Sequence, residues 1–195
     1  NIAGFQYDTA AFFIRTWDEI TPFELPSSPG RAFFRNAGQS RRIGIETRLV
    51  TPQWQGLHAE VGYTYSNFEF EKYAINETNL KGNNLPGIPA HRWEGLVKYT
   101  HPFGFFGQLH VHRVGHFFVN DINTANNHAY NLGQLLLGWE TKSNRLEGAI
   151  FLGINNLFDA PYNANTRINA ALGRFYELGP PLNVFGGLRV KIIIF

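Results

Sequence analysis

The sequence predicts an all-β fold: an antiparallel up-and-down transmembrane β-barrel. Three observations carry that expectation. Eight segments alternate with period 2, short and long connections alternate strictly, and aromatic residues gather near the segment ends. The 195 residues suffice for one ordinary domain and show no internal repeat beyond the hairpin, no low-complexity tract and no linker.

Successive side chains of an extended strand point to opposite faces, so period 2 marks a sheet with two unlike sides. Segment 146–154 is clearest, with Leu146, Gly148, Ile150, Leu152 and Ile154 opposite Glu147, Ala149, Phe151 and Gly153. Segment 57–66 sets Leu57, Ala59, Val61, Tyr63 and Tyr65 against His58, Glu60, Gly62, Thr64 and Ser66. Segments 43–49 and 93–100 follow the same rule, while 3–17, 107–119, 130–140 and 182–195 are noisier but similar in length. At the C-terminus Val184, Gly186, Leu188, Val190, Ile192 and Ile194 share a phase. Phe195 falls on the other, with Arg189 and Lys191.

Phase alone fits two architectures. In a soluble sandwich the apolar face meets a second sheet. In a membrane barrel it meets lipid, and the polar face lines a wet lumen. The connections favour the barrel. Those at 51–56, 101–104 and 141–145 are short, and those near 18–32, 72–88, 120–128 and 159–180 are long. A meander then places every short turn at one end and every long loop at the other, as in outer-membrane barrels. Trp17, Tyr65 and Tyr73 lie toward the long-loop end. Trp54, Tyr99, Phe103, Phe105, Phe106 and Trp139 lie toward the short-turn end. Two such bands fit interfacial girdles.

Composition narrows the function. With no Cys, neither a disulfide nor a cysteine nucleophile can form. With no Met, residue 1 is expected at a processed N-terminus or a cut edge, and no signal peptide opens the chain. A net charge of +2 with interspersed signs argues against a nucleic-acid partner. No run approaches the roughly 20 apolar residues of a spanning helix. No nucleophile stands with an oriented base, so no catalytic residue and no cofactor is expected.

Four motifs carry a family resemblance. Asn36-Ala37-Gly38-Gln39-Ser40, followed by Gly44 and Glu46, is similar to a strand start of TonB-dependent outer-membrane receptors. Gly82-Asn83-Asn84-Leu85-Pro86-Gly87-Ile88-Pro89-Ala90-His91 looks like that family's loop exit. Asn155-Asn156-Leu157-Phe158-Asp159 with Tyr162 resembles a motif near its end, and Gly173-Arg174-Phe175-Tyr176-Glu177 with Pro180-Pro181 resembles its last loop. The resemblance implies a 22-stranded barrel with an N-terminal plug, of which residues 1–195 would be about the last eight strands. Plug and earlier strands would be absent. It further implies residence in the Gram-negative outer membrane among its lipid, and uptake of a ferric siderophore or other metal chelate. Energy would arrive from the TonB complex through the missing N-terminal region.

Candidate chemistry follows. His110, His112 and His116 share one face of segment 107–119, where neighbours two residues apart lie about 6–7 Å apart, within reach of one metal ion. Hydrogen bonding to water or plug is the favoured, plainer use. Arg42, Glu46, Arg48, Glu60, Glu94, Lys98 and Glu147 fall on the lumen phase, where the resemblance implies plug contact. For a chelate it implies loop arginines and aromatics: Arg31, Arg35, Phe118, Arg167, Arg174 and Tyr176, with Arg174 and Tyr176 foremost. Two other classes compete: a small closed eight-stranded barrel with a structural or adhesive role, and a soluble carbohydrate-binding sandwich. The identity of the chelate is not written in these residues.

Overall fold

A computed structural model describes residues 4–143 and 146–192. Eight long strands dominate: β1 (Gln6–Trp17), β2 (Gln39–Val50), β3 (Leu57–Lys72), β4 (His91–Thr100), β5 (Phe105–Val114), β6 (Tyr130–Lys142), β7 (Leu146–Asn155) and β8 (Asn183–Ile192). They form one antiparallel sheet in chain order. Among the described residues β1 and β8 do not pair, so the sheet is open at both edges. The closed eight-stranded barrel is thereby corrected: both edges keep unmatched backbone groups, which lipid does not tolerate without further strands.

Cross-strand partners share a face, and the register links the eight strands into two continuous surfaces. On one, Tyr7, Leu49, Val61, Gly95, Val111 and Gly133 follow one another through direct pairings, and Leu135, in the same phase as Gly133, pairs with Ile154, which pairs with Val184. This face holds most of the large exposed apolar residues of the strands, such as Ile150 at 61% and Leu188 at 74%. A patch that broad has to meet an apolar partner. Val184 to Ile192 pairs with β7 without slip. Phe195 and its phase lie outside the described residues.

The other face uses a repeated device. Phe12 pairs with Gly44, Phe106 with Gly138, Phe151 with Gly187 and Phe185 with Gly153. In each pair the ring covers the glycine, where a Cβ would collide with it. A ring lying flat over a missing side chain restores apolar contact that glycine alone forfeits. The polar face is thus kept low and smooth.

The short connections are tight. In Trp54-Gln55-Gly56-Leu57 the end residues exchange backbone hydrogen bonds of 2.9 and 2.8 Å. The central pair has φ of 48° and 85°. That is the type I′ turn, whose twist matches a hairpin. The long connections carry small hairpins of their own: Ile20–Leu25 with Ser28–Asn36, Ala74–Ile75 with Thr78–Asn79, Phe117–Phe118 with Asn126–Asn127, and Asn163–Thr166 with Tyr176–Leu178. One expected boundary shifts. Strand β5 of segment 107–119 ends at Val114, one in-register bond from the Gly115 N–H to the His91 carbonyl follows, and Phe117–Phe118 belong to a separate small hairpin. The apolar core sits under the loops at the long-loop end of the sheet: Phe70, near the end of β3, clusters there with Ala37, Tyr73, Leu80 and Leu85.

Filling a glycine beneath a ring tests the polar-face device. Gly153→Val in the full-length protein should destabilise by about 1–3 kcal/mol through overpacking, and Phe185→Ala added to it should recover part of the loss. Urea unfolding in detergent reads both. Equal stability of Gly153→Val and the parent would contradict the packing described.

Candidate functional site

The four long connections meet at one end of the sheet, and short polar side chains tie them together. Asp121 is the hub, only 1% exposed. Its carboxylate accepts from Tyr73 Oη at 2.9 Å and from Thr21 Oγ1 at 3.3 and 3.4 Å. Its N–H donates to Asn169 Oδ1 at 2.9 Å, and Asn83 Nδ2 donates to its carbonyl at 2.9 Å. These partners come from the other three long connections, so that with Asp121 itself all four are joined. Asn169 adds donations to Pro22 O at 2.9 Å and Thr21 Oγ1 at 3.3 Å. Burial raises the Tyr73 pKa, with the Asp121 charge and hydrogen bond adding to it, so Tyr73 stays a neutral donor.

The sequence motifs build the bases of these loops. Asn36 Oδ1 takes the Gly38 N–H at 2.6 Å, and Gly38 sits at φ 70° against the Lys72 carbonyl, where a side chain would collide. Asn156 is buried and donates to the Ala160 and Pro180 carbonyls at 3.0 and 3.2 Å, closing the β7–β8 connection. Asn84 and Asn123 exchange hydrogen bonds of 2.7 and 3.0 Å between two loops. Asn and Asp suit such roles because they cap local backbone and tolerate positive φ, as at Asn123, Asn156 and Asn169.

The expected ligand residues divide into engaged and free. Arg167 grips Glu177 at 2.9 and 2.7 Å across its hairpin. Arg174 lies 3.8 Å from Glu24, whose carboxylate also takes the Gly30 and Ala171 N–H groups at 3.0 and 3.2 Å. Tyr176 Oη donates to Asn126 O at 2.6 Å. Phe118 lies in the hairpin beside His116. These contacts spend the groups on loop structure. Arg31 and Arg35 differ: neither has an ion-pair partner among the described residues. Arg31, Phe33 and Arg35 alternate onto one side of the first loop hairpin, with Phe23 paired to Phe33. Arg35 covers the Phe23 ring at 4.2 Å and Arg31 the Phe33 ring at 5.2 Å. Arg35 Nε is buried with no hydrogen-bond partner among the described residues.

Below the loops, a cavity of about 540 Å³ opens on the polar face. Phe12, Ile14, Phe68, Leu85 and Ile168 line it, with Arg42 and Glu19 paired at 2.7 Å. Farther down, Arg48 pairs with Glu60, Arg92 with Glu94 at 2.6 Å, and Lys142 and Lys191 with Glu147 at 2.9 and 3.2 Å. The register puts Glu46, Arg48, Glu60, Glu94, Lys98 and Glu147 on the phase expected. His110 and His112 are neighbours with rings 5.6 Å apart, but His116 lies beyond the strand end. Among the described residues no group of three His, Cys, Asp or Glu could hold a metal. The Asp121 hub was missed. Its only sequence signal was the Asn-rich stretch around it, because its partners lie 48 and 100 residues away.

Residues 1–157 match the family model described as "TonB dependent receptor-like, beta-barrel". The chain belongs to the TonB-dependent receptor β-barrel family. Solved structures agree with that fold. The ferric preacinetobactin receptor BauA of Acinetobacter baumannii is 20% identical with a TM-score of 0.70, covering 98% of this chain and 28% of its own. The ferric yersiniabactin uptake receptor FyuA of Yersinia pestis is 20% identical at TM-score 0.72, covering 100% and 28%. The ferric citrate transporter FecA is 17% identical at 0.73, covering 97% and 29%. The chain thus spans under a third of the length of these receptors. Its apolar face is the lipid face of a TonB-dependent barrel segment, and its polar face the lumen wall. The family is one of transport receptors, not enzymes.

Removing the hub should loosen the loops together. Asp121→Ala leaves the buried Tyr73 and Thr21 hydroxyls without an acceptor, at about 1–3 kcal/mol each. Hydrogen exchange should quicken around 21, 73 and 169 while the eight strands stay protected. Faster exchange confined to 119–123 would sink the hub. A pH effect follows from Glu24. The Gly30 N–H chiefly, then the Ala171 N–H and the Arg174 charge, hold its carboxyl below the ordinary carboxylate value. A lowered folded pKa stabilises above the unfolded value and is lost as pH falls through the folded one. Exchange at 28–31 and 171–174 should therefore quicken in acid, and Glu24→Gln should flatten that dependence.

Proposed function

We propose that this segment supplies the last eight strands and the final long loops of an outer-membrane receptor. That receptor takes up a metal chelate, an iron–siderophore before others, with energy delivered through TonB. The observation that carries the reading is the free pair Arg31 and Arg35. Two guanidiniums without carboxylate partners share one hairpin side with two aromatic rings, beside loops tied into a common base. Chelates built from carboxylate or catecholate oxygens carry negative charge, and a planar guanidinium fork suits them. Arg167, Arg174 and Tyr176 then serve by holding the loops in place, and Phe118 by packing.

Several relatives support the chelate class. BauA, FyuA and FecA are named for ferric preacinetobactin, ferric yersiniabactin and ferric citrate. OprC, 14% identical at TM-score 0.73, is named a copper transporter, which is why metal chelate is the broader statement. The outer membrane holds no usable gradient or ATP, so energy has to come from the inner membrane, and the family's TonB contact lies N-terminal to this segment. The paired charges along the lumen wall would dock the plug. Individually such half-exposed pairs contribute little, so plug release need not break a strong bond.

The test is uptake by the full-length protein in a strain without competing receptors, using iron, nickel and cobalamin chelates. An iron chelate is expected to be taken up in a TonB-dependent manner. Arg31→Ala with Arg35→Ala should weaken binding of the transported chelate at least about tenfold, as expected when charged hydrogen bonds are lost. Unchanged affinity in that double variant would remove these arginines from the site.

A further inference from the structure

The lipid face carries charge at one rim only. Its short-turn rim is aromatic, with Trp54, Phe103 and Trp139 exposed at 67%, 76% and 49%. Its long-loop rim is charged. Arg15 on β1 pairs directly with Arg41 on β2, and Arg41 with Glu69 on β3, all in the lipid-facing phase. A register shift beside Gln39 then brings Lys72 opposite Gln39, into that same row. Arg15, Arg41, Glu69, Glu71, Lys72 and Lys81 together line an open recess of about 460 Å³. Arg15 bonds Glu71 at 2.9 Å and Arg41 bonds Glu69. Lys72 and Lys81 are exposed and have no ion-pair partner among the described residues. Arg41 Nε is buried without a hydrogen-bond partner there.

We infer that this recess binds the phosphate-bearing headgroup of a lipid in the leaflet on the long-loop side. The inference rests on the membrane reading above, since it needs the apolar face to be in lipid. Charge and position favour that occupant. Four cations against two carboxylates leave the recess positive, and it adjoins the apolar band at the height where acyl chains end and headgroups begin. A cation near a charged lipid surface gains attraction that an isolated surface pair does not. Each carboxylate holds one guanidinium by a single contact and leaves its other N–H groups free, and the two lysines reach a phosphate as mobile point charges. Arg113 continues the cationic rim on β5, bonded to Asn131 at 3.1 Å. A soluble anionic chelate would have to be bound on the outside of the barrel wall, away from the lumen, which disfavours it.

Native mass spectrometry of the full-length protein tests this, with lipid A as the phosphorylated probe and phosphatidylethanolamine as the zwitterionic control. The parent should retain lipid A in preference to the control. Arg15→Gln, Arg41→Gln, Lys72→Gln and Lys81→Gln combined should lower that retention at least about tenfold, given the attraction expected for each cation near an anionic surface. Glu69→Gln with Glu71→Gln adds net positive charge and should raise retention, so the inference stays testable if the fourfold variant does not fold. Unchanged retention in either variant overturns it. Displacement of lipid A by inorganic phosphate would make the recess a free-anion site and also overturn it. Chelate uptake, measured on the same variants, should be unaltered. Lost uptake with intact lipid retention would reassign the recess to the transported ligand. If the parent transports no chelate yet shows the lipid preference, the receptor reading fails and the lipid site stands.

Discussion

Hydrocarbon offers no partner to a backbone N–H or carbonyl, and the rest of the structure follows from that constraint. Every strand that crosses must be hydrogen-bonded to its neighbours over its whole crossing. Between its two edges the sheet obeys it: seven successive antiparallel pairings join eight strands, and their register slips once, beside Gln39 at the long-loop end. With register fixed, period 2 assigns each side chain to lipid or lumen. A one-residue slip in β7 would send Glu147 toward lipid and Ile150 into the lumen. The pattern of apolar residues is what makes such a slip costly.

Above the sheet the constraint relaxes and the chemistry changes. The loops lie in water, and their cohesion comes from buried polar hydrogen bonds more than from apolar area. Asp121 accepts from Thr21, Tyr73 and Asn83 and donates to Asn169, and so ties its own connection to the other three. A buried carboxylate is tolerable because each of its oxygens finds a donor. Such a hub holds loop bases rigid and leaves the outer hairpins to vary. Groups inside the network are spent on structure, while Arg31 and Arg35 remain available. Engagement of a side chain is thus as informative as its residue type in locating a binding surface.

Strands were legible because their signal is local. The alternation in 146–154 and 57–66 required only neighbouring residues, and the register reproduces both phases. Segment 107–119 misled because His116 keeps parity with His110 and His112, and parity cannot report that the strand ends at Val114 and that Phe117–Phe118 pair with Asn126–Asn127 instead. The loop arginines are recognisable as candidates, with Arg174 foremost, but the sequence does not show that Arg167 and Arg174 have carboxylate partners while Arg31 and Arg35 do not. That distinction depends on Glu177 and Glu24, and the Glu24 contact spans 150 residues of chain. Asp121 was invisible for the same reason. Long-range polar pairing leaves no period in a sequence, whereas a lipid-facing strand does.

The absence of cysteine makes a direct test convenient. Single cysteines placed in turn at 146 to 154 in the full-length protein, in membranes, can be labelled with a water-soluble maleimide and with a spin label read against lipid-soluble oxygen. Positions 146, 150, 152 and 154 should contact oxygen and resist the maleimide, while 147, 149, 151 and 153 should do the reverse. A smooth profile, or one in the opposite phase, would contradict a barrel segment with this register.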